Sequence, residues 1–493
     1  MHIPAIHLCI VQPLGYVHSL CFLDHARFFR HQFRRMGADV SLGKNRLRHG
    51  AVNIIFGAHL GFDPSLRQRY TCLFLNLEQL GPGGASVSAD YIQLLASSAV
   101  IDYHRDNVSA YQSQADDVPL VSFGHAPYLA KDLDPGADLA SRPIDILFFG
   151  SMNERRRMLI EQIERSGRQV TLLDRAIYGP ERDSLIIQAK AVLNLHYYES
   201  ARFEQARVFQ CLSLGTPVIS ERSPQSGVPT QFEDCVHWID PNELSGYFSA
   251  NFDTPSFHAK SQTQLQEFRK HDVIEEYAEV LAFAAGYFSE HQRQLANQAH
   301  PVWQPIQLQI GSGKDYRLGW FNVDIQPSTL PDAVLDLSAP MDLPLSIASE
   351  QAGPVVLSAD SLEIIYANNV LEHVADLPRM MGNCLQLLRE DGQMLIEVPY
   401  EKAPTAWQDP THVRAFNENS WLYYTDWFWY LGWFEYRFAI QSSTYLDGQL
   451  QPCSQDRAHF MRIHLIKQPT SMAERMTART MQADFGGIAS DDL

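Results

Sequence analysis

LQIGSGKDYRLGWFNVDI (residues 308–325) is followed by DAVLDLSAPMDLPL (332–345), IIYANNVLEHV (364–374) and LLREDGQMLIEVP (387–399). Four apolar runs each end on Gly, Asp or Asn. Such runs predict an open α/β sheet, which presents its ligand at the carboxyl ends of its strands. Gln307 to Ile310 reads as a short buried strand. Gly311-Ser312-Gly313 follows at once, and glycines there let the backbone turn tightly and approach a ligand. Asp324 ends the next run, Trp320 to Val323, where a carboxylate can accept hydrogen bonds from both hydroxyls of a ribose. Asp336 ends Ala333 to Leu335 and is placed to face an adenine amino group. Taken singly, each acid reads equally well as a turn cap. Their joint spacing favours a nucleoside site.

The ordered set GSG, GWFNVD, DL, NNVLEHV and LREDGQMLIEVP resembles class I S-adenosylmethionine-dependent methyltransferases over roughly residues 305–467. It is most similar to the small bacterial group whose first motif runs into a "GW-N-D" strand. The resemblance implies that Gly311 and Gly313 cradle the methionine end of the cofactor, that Asp324 holds the ribose and that Asp336 meets the adenine edge. It implies that Asn369, Leu371 and Glu372 line the floor below the sulfonium. Gln309 stands where many members carry an acid. Ten residues separate Gly313 from Asp324, barely enough for a crossover helix, so that helix is expected to be a stub or missing.

At 493 residues the chain predicts two or three domains. Its 45% apolar and 19% charged content is that of a globular protein. The net charge of −18 argues against a nucleic-acid partner held by phosphate contacts. Seven scattered cysteines without a CxxC pair argue against a disulfide framework or a structural zinc site, and no metal site is expected. No run of about 18 apolar residues predicts a membrane span. MHIPAIHLCIVQPLG lacks the basic start of a signal peptide. A reducing, cytoplasmic compartment is expected.

Before residue 300 the pattern is of two successive α/β halves. Ile6 to Val11, Val40 to Leu42, Val52 to Phe56, Tyr70 to Leu75, Ala99 to Asp102 and Leu120 to Phe123 read as strands, with a helix from His18 to Met36 stopped by Gly37. The Pro-, Gly- and Asp-rich stretch 124–143 reads as a linker. Strands then restart at Ile144 to Phe149, Val170 to Leu173, Ala191 to Leu195 and Pro217 to Ser220. Helices are predicted at Glu154 to Arg165, capped by Asn153, and at Phe203 to Leu214. Thr263 to His291 reads as one broken or two short amphipathic helices able to pack back across the lobes. The expected organisation is 1–130, 140–298, 305–467 and a flexible tail 468–493.

LNLHYYESARFEQARVFQCLSLGTPVISE (193–221) carries the second constellation. A strand delivers Asn194 and His196 to its end, and the next helix places Glu204 and Arg207 on one face. A carboxylate can grip sugar hydroxyls and an arginine a pyrophosphate, with a helix N-terminus behind it. An ordinary surface ion pair is the competing reading. FFGSMNERR (148–156) and ARVFQCLSLGTPVIS (206–220) resemble the second lobe of GT-B glycosyltransferases with two facing Rossmann-like lobes, in the branch related to spore-coat glycosyltransferases. That resemblance implies that Gly150, Arg155, His196, Glu204 and Arg207 bind a nucleotide-sugar. It also implies that Gly15, His18 and Glu78 face the acceptor, with His18 as a candidate base. Gln210 replaces a usual glutamate.

WQDPTHVR (407–414) follows the predicted fifth strand, and His412 is the candidate base for methyl transfer, with Asp409 to orient it. A loop-capping histidine is the alternative. Four tryptophans between Trp421 and Trp433 suit a sugar platform or, equally, core and interface packing. The fold class that follows is α/β: two Rossmann-like lobes, then a class I methyltransferase domain. The expected function is bifunctional: sugar transfer from a nucleotide-sugar, and S-adenosylmethionine-dependent O-methylation of a glycan acceptor, in bacterial surface polysaccharide or glycoconjugate synthesis. Two readings compete with it. One is a methyltransferase whose front half only binds carbohydrate or assembles; the other is an inactive scaffold. A homo-oligomer stays open.

Overall fold

IHLCI, VNIIF and TCLFLN have no polar face, so their strands need cover on both sides, which parallel α/β sheets provide. The computed structural model describes residues 3–112, 117–131, 138–173, 175–198, 202–222, 227–297 and 302–481. In it β1 (Ile6–Ile10), β2 (Val40–Lys44), β3 (Val52–Phe56), β4 (Thr71–Asn76) and β5 (Ala99–Asp102) form a parallel sheet of order β2-β1-β3-β4-β5. The first helix is Cys21–Arg35 after a 3-10 turn at Val17–Leu20, and it buries Phe22, Ala26, Phe29 and Phe33. Gly37, with φ +80°, closes it by donating its N–H to the Arg34 carbonyl.

The predicted strand Leu120 to Phe123 is not one. Leu120 makes a single bridge to Asp102. Beyond it, side chains take the backbone donors: Ser122 N–H binds Glu276, and Phe123 N–H binds Gln205 Oε1.

A second parallel sheet, β10-β9-β8-β6-β7, is built from β6 (Ile144–Phe149), β7 (Val170–Leu173), β8 (Ala189–Asn194), β9 (Val218–Glu221) and β10 (His237–Ile239). Asn153 caps the helix Glu154–Arg165, accepting from Arg156 N–H at 2.9 Å. The stretch read as a linker is fixed at both ends. Phe123 stacks on Phe209, Ala126 N–H binds Ser213 Oγ, and buried Arg142 donates to the carbonyls of Ala189 and Gly215; residues 132–137 of that stretch lie outside the described residues. Polar composition concealed these anchors. The amphipathic segment forms two helices. Pro255–Phe268 packs on the second lobe through Phe257 and Phe268. Ile274–Asn297 returns to the first, where Tyr277 meets Phe28, Phe29 and Phe33 and donates to the Ser122 carbonyl. Residues 1–44 and 50–297 make one compact unit.

Residues 45–49 and 298–493 make the other. Its sheet has the order β13-β12-β11-β16-β17-β19-β18. The strands are β11 (Gln307–Ile310), β12 (Phe321–Asp324), β13 (Ala333–Val334), β16 (Leu362–Asn368), β17 (Leu388–Pro399), β18 (Tyr436–Leu446) and β19 (Phe460–Pro469). All pair in parallel up to β17, and β18 and β19 are antiparallel, as their alternation predicted. Strand order reverses between β11 and β16, the switch point where open sheets bind ligands. No helix joins β11 to β12. An antiparallel pair, β14 (Leu345–Ser349) and β15 (Gly353–Leu357), is inserted before β16.

The expected flexible tail is instead ordered at its start. Strand β19 runs to Pro469, and Met472–Met481 is a helix. Ser471 and Glu474 cap it reciprocally, and Arg437 binds Glu474 at 2.7 Å. Residues 482–493 of that tail lie outside the described residues. Among the described residues no helix is long and apolar enough to cross a membrane.

Candidate functional site

Gly311 and Gly313 have φ of +62° and +52°, the left-handed region that glycine occupies without penalty. A Cβ on Gly311 would lie 2.4 Å from Val370 Cγ2, whereas one on Gly313 would meet nothing within 4 Å. The turn is therefore packed on one side and open on the other. Gly313 N–H donates to Asp324 Oδ2 at 2.8 Å, and Gln326 N–H donates to Oδ1 at 2.8 Å. Two bonds fix the carboxylate plane and leave lone pairs for hydroxyls, since an ionised carboxylate accepts about four. Ser312 Oγ and Gln309 Oε1 are buried and bonded to nothing among the described residues. An open glycine cradle, an oriented acid and an unsatisfied hydroxyl fit the polar end of S-adenosylmethionine. Asp336 is exposed, and its Oδ1 takes the N–H and hydroxyl of Ser338. For this acid the turn-cap geometry is the one observed.

Beside this turn, β16 is followed by Asn369 with φ +50°, whose N–H binds the Glu397 carbonyl. Leu371 is wholly buried, and Glu372 is 1% exposed with neither carboxyl oxygen hydrogen-bonded among the described residues. Burial pushes the Glu372 carboxyl up to about 7, against its own backbone N–H and the neighbouring His412. The 407–414 loop is tied to this strand end by the Val413 N–H bond to the Glu372 carbonyl. It brings the His412 ring to 4.7 Å from the His373 ring, nearly at right angles.

Asp409 does not orient His412. The His412 Nδ1–H donates to the Ala406 carbonyl at 2.9 Å, and a carbonyl can only accept, so in the neutral ring Nε2 carries the lone pair. Asp409 instead accepts the Thr411 hydroxyl proton at 2.7 Å, so Thr411 Oγ1 accepts from His373 Nδ1 at 2.9 Å. Both imidazoles are held in the same tautomer, His373 by a carboxylate acting through a hydroxyl. Sequence spacing suggested the adjacent histidine; the loop's turn turned the acid toward the other one. His373, missed as a site residue, sits in the quoted LEHV motif.

The aromatic run divides. Trp421 is fully buried and stacked on Phe416, while Tyr423, Trp427 and Tyr430 form an exposed cluster.

The front unit holds a cavity of about 1060 Å³ between its two sheets' ligand ends, lined by His18, Glu78, Gly150, Glu204, Arg207 and Gln210 among others. Gly150 has φ +133°, and a Cβ there would lie 2.7 Å from an Arg207 guanidinium nitrogen. Glycine is what admits that arginine. Arg207 is held by Glu204 at 2.6 Å and by Asn194 at 3.0 Å, and its guanidinium lies over Phe148 and Phe149. Burial pushes the Glu204 carboxyl up, but Arg207 and Arg156 outweigh it, so it stays below the usual carboxylate range.

Arg155 and His196 do not line the cavity. Arg155 pairs with buried Glu221 and donates to the His196 carbonyl. His196 is wholly buried with its backbone N–H on Glu221. The neighbouring Arg156 lines the cavity instead, donating to the Ser151 and Leu195 carbonyls and to Glu204. On a helix one residue is a rotation of about 100°, so the choice between adjacent arginines needed the helix's rotation, which the motif alone leaves open.

His18 lines the cavity, its Nδ1 3.0 Å from the Tyr178 hydroxyl of the other lobe, and Gly15 does not. Arg175, Arg182 and Arg202 also line it and were missed. Arg182 crosses between lobes to Asp24 at 3.0 Å and pairs with Asp183 at 2.8 Å, all three nearly sealed from water. Nothing periodic marks such isolated charges in sequence.

A family model described as a methyltransferase domain matches residues 254–438. Protein L140 of Acanthamoeba polyphaga mimivirus is 27% identical over 165 residues, 32% of this chain and 51% of L140. The chain thus spans about half the length of that relative. Among solved structures, Anabaena HepE in complex with UDP and glucose is similar over 57% of this chain and 100% of its own, at 12% identity and a TM-score of 0.38. An S-adenosylmethionine-dependent methyltransferase from Mesorhizobium loti is similar over 36% of this chain and 97% of its own, at 16% identity and a TM-score of 0.22.

Proposed function

We propose that this chain is a bifunctional transferase of glycans. The rear unit methylates an acceptor hydroxyl with S-adenosylmethionine, and the front unit transfers a sugar from a nucleotide-sugar in the cleft between its lobes. The methyl half rests on one observation above the others: Gly313 N–H fixes Asp324 at the end of β12, beside a glycine turn that stands at the switch point and is open on one side. The domain match over 254–438 supports the same reading.

When bound, S-adenosylmethionine supplies an electrophilic methyl group, so the protein's work is alignment. Asp324 would hold the ribose and the 311–313 backbone the methionine end. Leu371, wholly buried, keeps the floor of the site apolar. The Glu372, His373 and His412 cluster stands at the strand end next to the glycine turn, on the acceptor's side. In the front cleft Arg207 would meet the pyrophosphate, and His18 stands across from it as the candidate base. Both donors belong to the cytoplasm, where the proposal places the protein.

A second reading keeps the methyltransferase and makes the front cleft a non-catalytic carbohydrate-binding module. Gln210 favours it, because an amide lines the cavity where the family carries an acid. Calorimetry with S-adenosylhomocysteine tests the first half: one site is expected on the wild-type chain and none on Asp324→Ala. No binding to the wild type removes the methyl-transfer reading. Incubation with a panel of nucleotide-sugars tests the second half. Slow donor hydrolysis supports a transferase, and binding without turnover leaves the module.

A further inference from the structure

Among the described residues, one trio of histidine, cysteine or carboxylate groups is close enough to share an ion: Glu372, His373 and His412, whose candidate ligand atoms all lie within 4.8 Å of one another. The trio is more than a chance cluster. Glu372 is 1% exposed and its two carboxyl oxygens have no partner among the described residues. Leaving such a group unsatisfied costs of order 1–3 kcal/mol, more when it is charged. Both imidazoles are bonded through Nδ1 to oxygen acceptors, His412 to a carbonyl and His373 to a hydroxyl backed by Asp409. That is the outer support that fixes tautomer and ring direction in metal-binding histidines and leaves Nε2 as the donor. One side of the trio is buried and the other, at His373, is exposed.

We propose that Glu372, His373 and His412 bind a divalent transition-metal ion with at least one coordination position open toward the methyl acceptor. Two imidazoles and one carboxylate suit borderline ions such as Zn²⁺, Co²⁺ or Fe²⁺ and suit Mg²⁺ poorly. Metal–ligand bonds of about 2.1 Å require the three donor atoms to draw in to roughly 3.4 Å, a side-chain adjustment on the open face. The ion's role rests on the methyl-transfer reading: it polarises the acceptor hydroxyl, whose proton leaves to water while the oxygen keeps the bonding pair. The binding site itself does not depend on that reading.

The test uses the full chain, stripped with a chelator and titrated with Co²⁺ followed by visible absorption, and with Zn²⁺ by calorimetry. One equivalent is expected, with ligand-field bands for Co²⁺ and at least a tenfold preference for Zn²⁺ over Mg²⁺. Glu372→Gln, nearly isosteric, and His412→Asn should each weaken Zn²⁺ binding at least tenfold while leaving the thermal transition in place. S-adenosylhomocysteine binding is measured on the same samples. Metal binding with no S-adenosylhomocysteine binding sinks the methyl-transfer reading and keeps the site. S-adenosylhomocysteine binding with no metal binding, or metal binding untouched by both variants, overturns the site alone.

Discussion

In the front cleft Arg207 and Arg156 each lie 2.6 Å from Glu204, whose carboxylate offsets part of their charge. At the rear site Glu372, Ser312 and Gln309 carry buried oxygens with no partner among the described residues. The two regions hold the same kinds of groups on the same kind of sheet end, and they differ in who satisfies them. A cleft whose charges are internally paired is pre-shaped, and its ligand competes with, or shares, protein contacts. A site with unsatisfied buried oxygens has its shape completed by what binds. Variants in the front should therefore change stability together with binding, and variants at the rear should change binding first.

The largest effect is expected where the front pairing is most buried. Arg182→Ala leaves Asp24 and Asp183 without their cation, with side chains 4% and 8% exposed. Breaking such a set costs about 3–5 kcal/mol. Hydrogen exchange in helix Cys21–Arg35 should accelerate accordingly, and adding Asp24→Asn should restore part of the protection. An unchanged exchange rate would mean that the lobes are not held by these charges. Next comes Gly311→Ala, which adds a Cβ at φ +62° against Val370. A strain of about 3 kcal/mol predicts a loss of roughly a hundredfold in S-adenosylhomocysteine affinity. UDP binding to the same variant should be unaltered. Arg207→Ala should act the other way round, weakening UDP about tenfold through a lost charge-assisted bond while sparing S-adenosylhomocysteine. Equal loss of both ligands in either variant would contradict separate sites.

The backbone of both sites was readable in the chain because glycines and strand ends are local signals. Gly150, Gly311 and Gly313 all adopt the positive φ that their motifs imply, and Asp324 lies where β12 ends. The missing helix after Gly313 followed from counting residues. Side-chain pairing was not readable, because it depends on which way a helix or loop is rotated. Arg155 and Arg156 are neighbours in sequence, yet one is spent on Glu221 and the other lines the cavity. Asp409 is three residues from His412 and serves His373 instead. The helix Met472–Met481 is legible in its Ser471-to-Glu474 capping box, but it buries only Ala478, so no core-facing run marks it in the sequence.

The smallest effect separates the units by pH. His237, on β10 of the front unit, is 4% exposed, bonded to Ser261 Oγ at 2.8 Å and stacked on Phe257. Burial, helped by the charge of Lys260, lowers its pKa from 6.5 to about 3. The folded chain therefore keeps this ring neutral while the unfolded chain protonates it below pH 6.5. Its contribution to stability is complete above that pH and is lost as pH falls toward 3, by about 1 kcal/mol between pH 6.5 and 5.5. His25, lowered by burial to about 4, titrates in the same sense and adds a similar amount. Urea unfolding of the front unit, followed by hydrogen exchange in β1 and β10, should show the combined slope. His237→Gln starts from a lower stability, and its slope over that interval should be shallower by about 1 kcal/mol per pH unit. A slope unchanged by the substitution would mean that His237 protonates in the folded state near its ordinary pKa, so that the buried ring is not what ties the front unit's stability to pH.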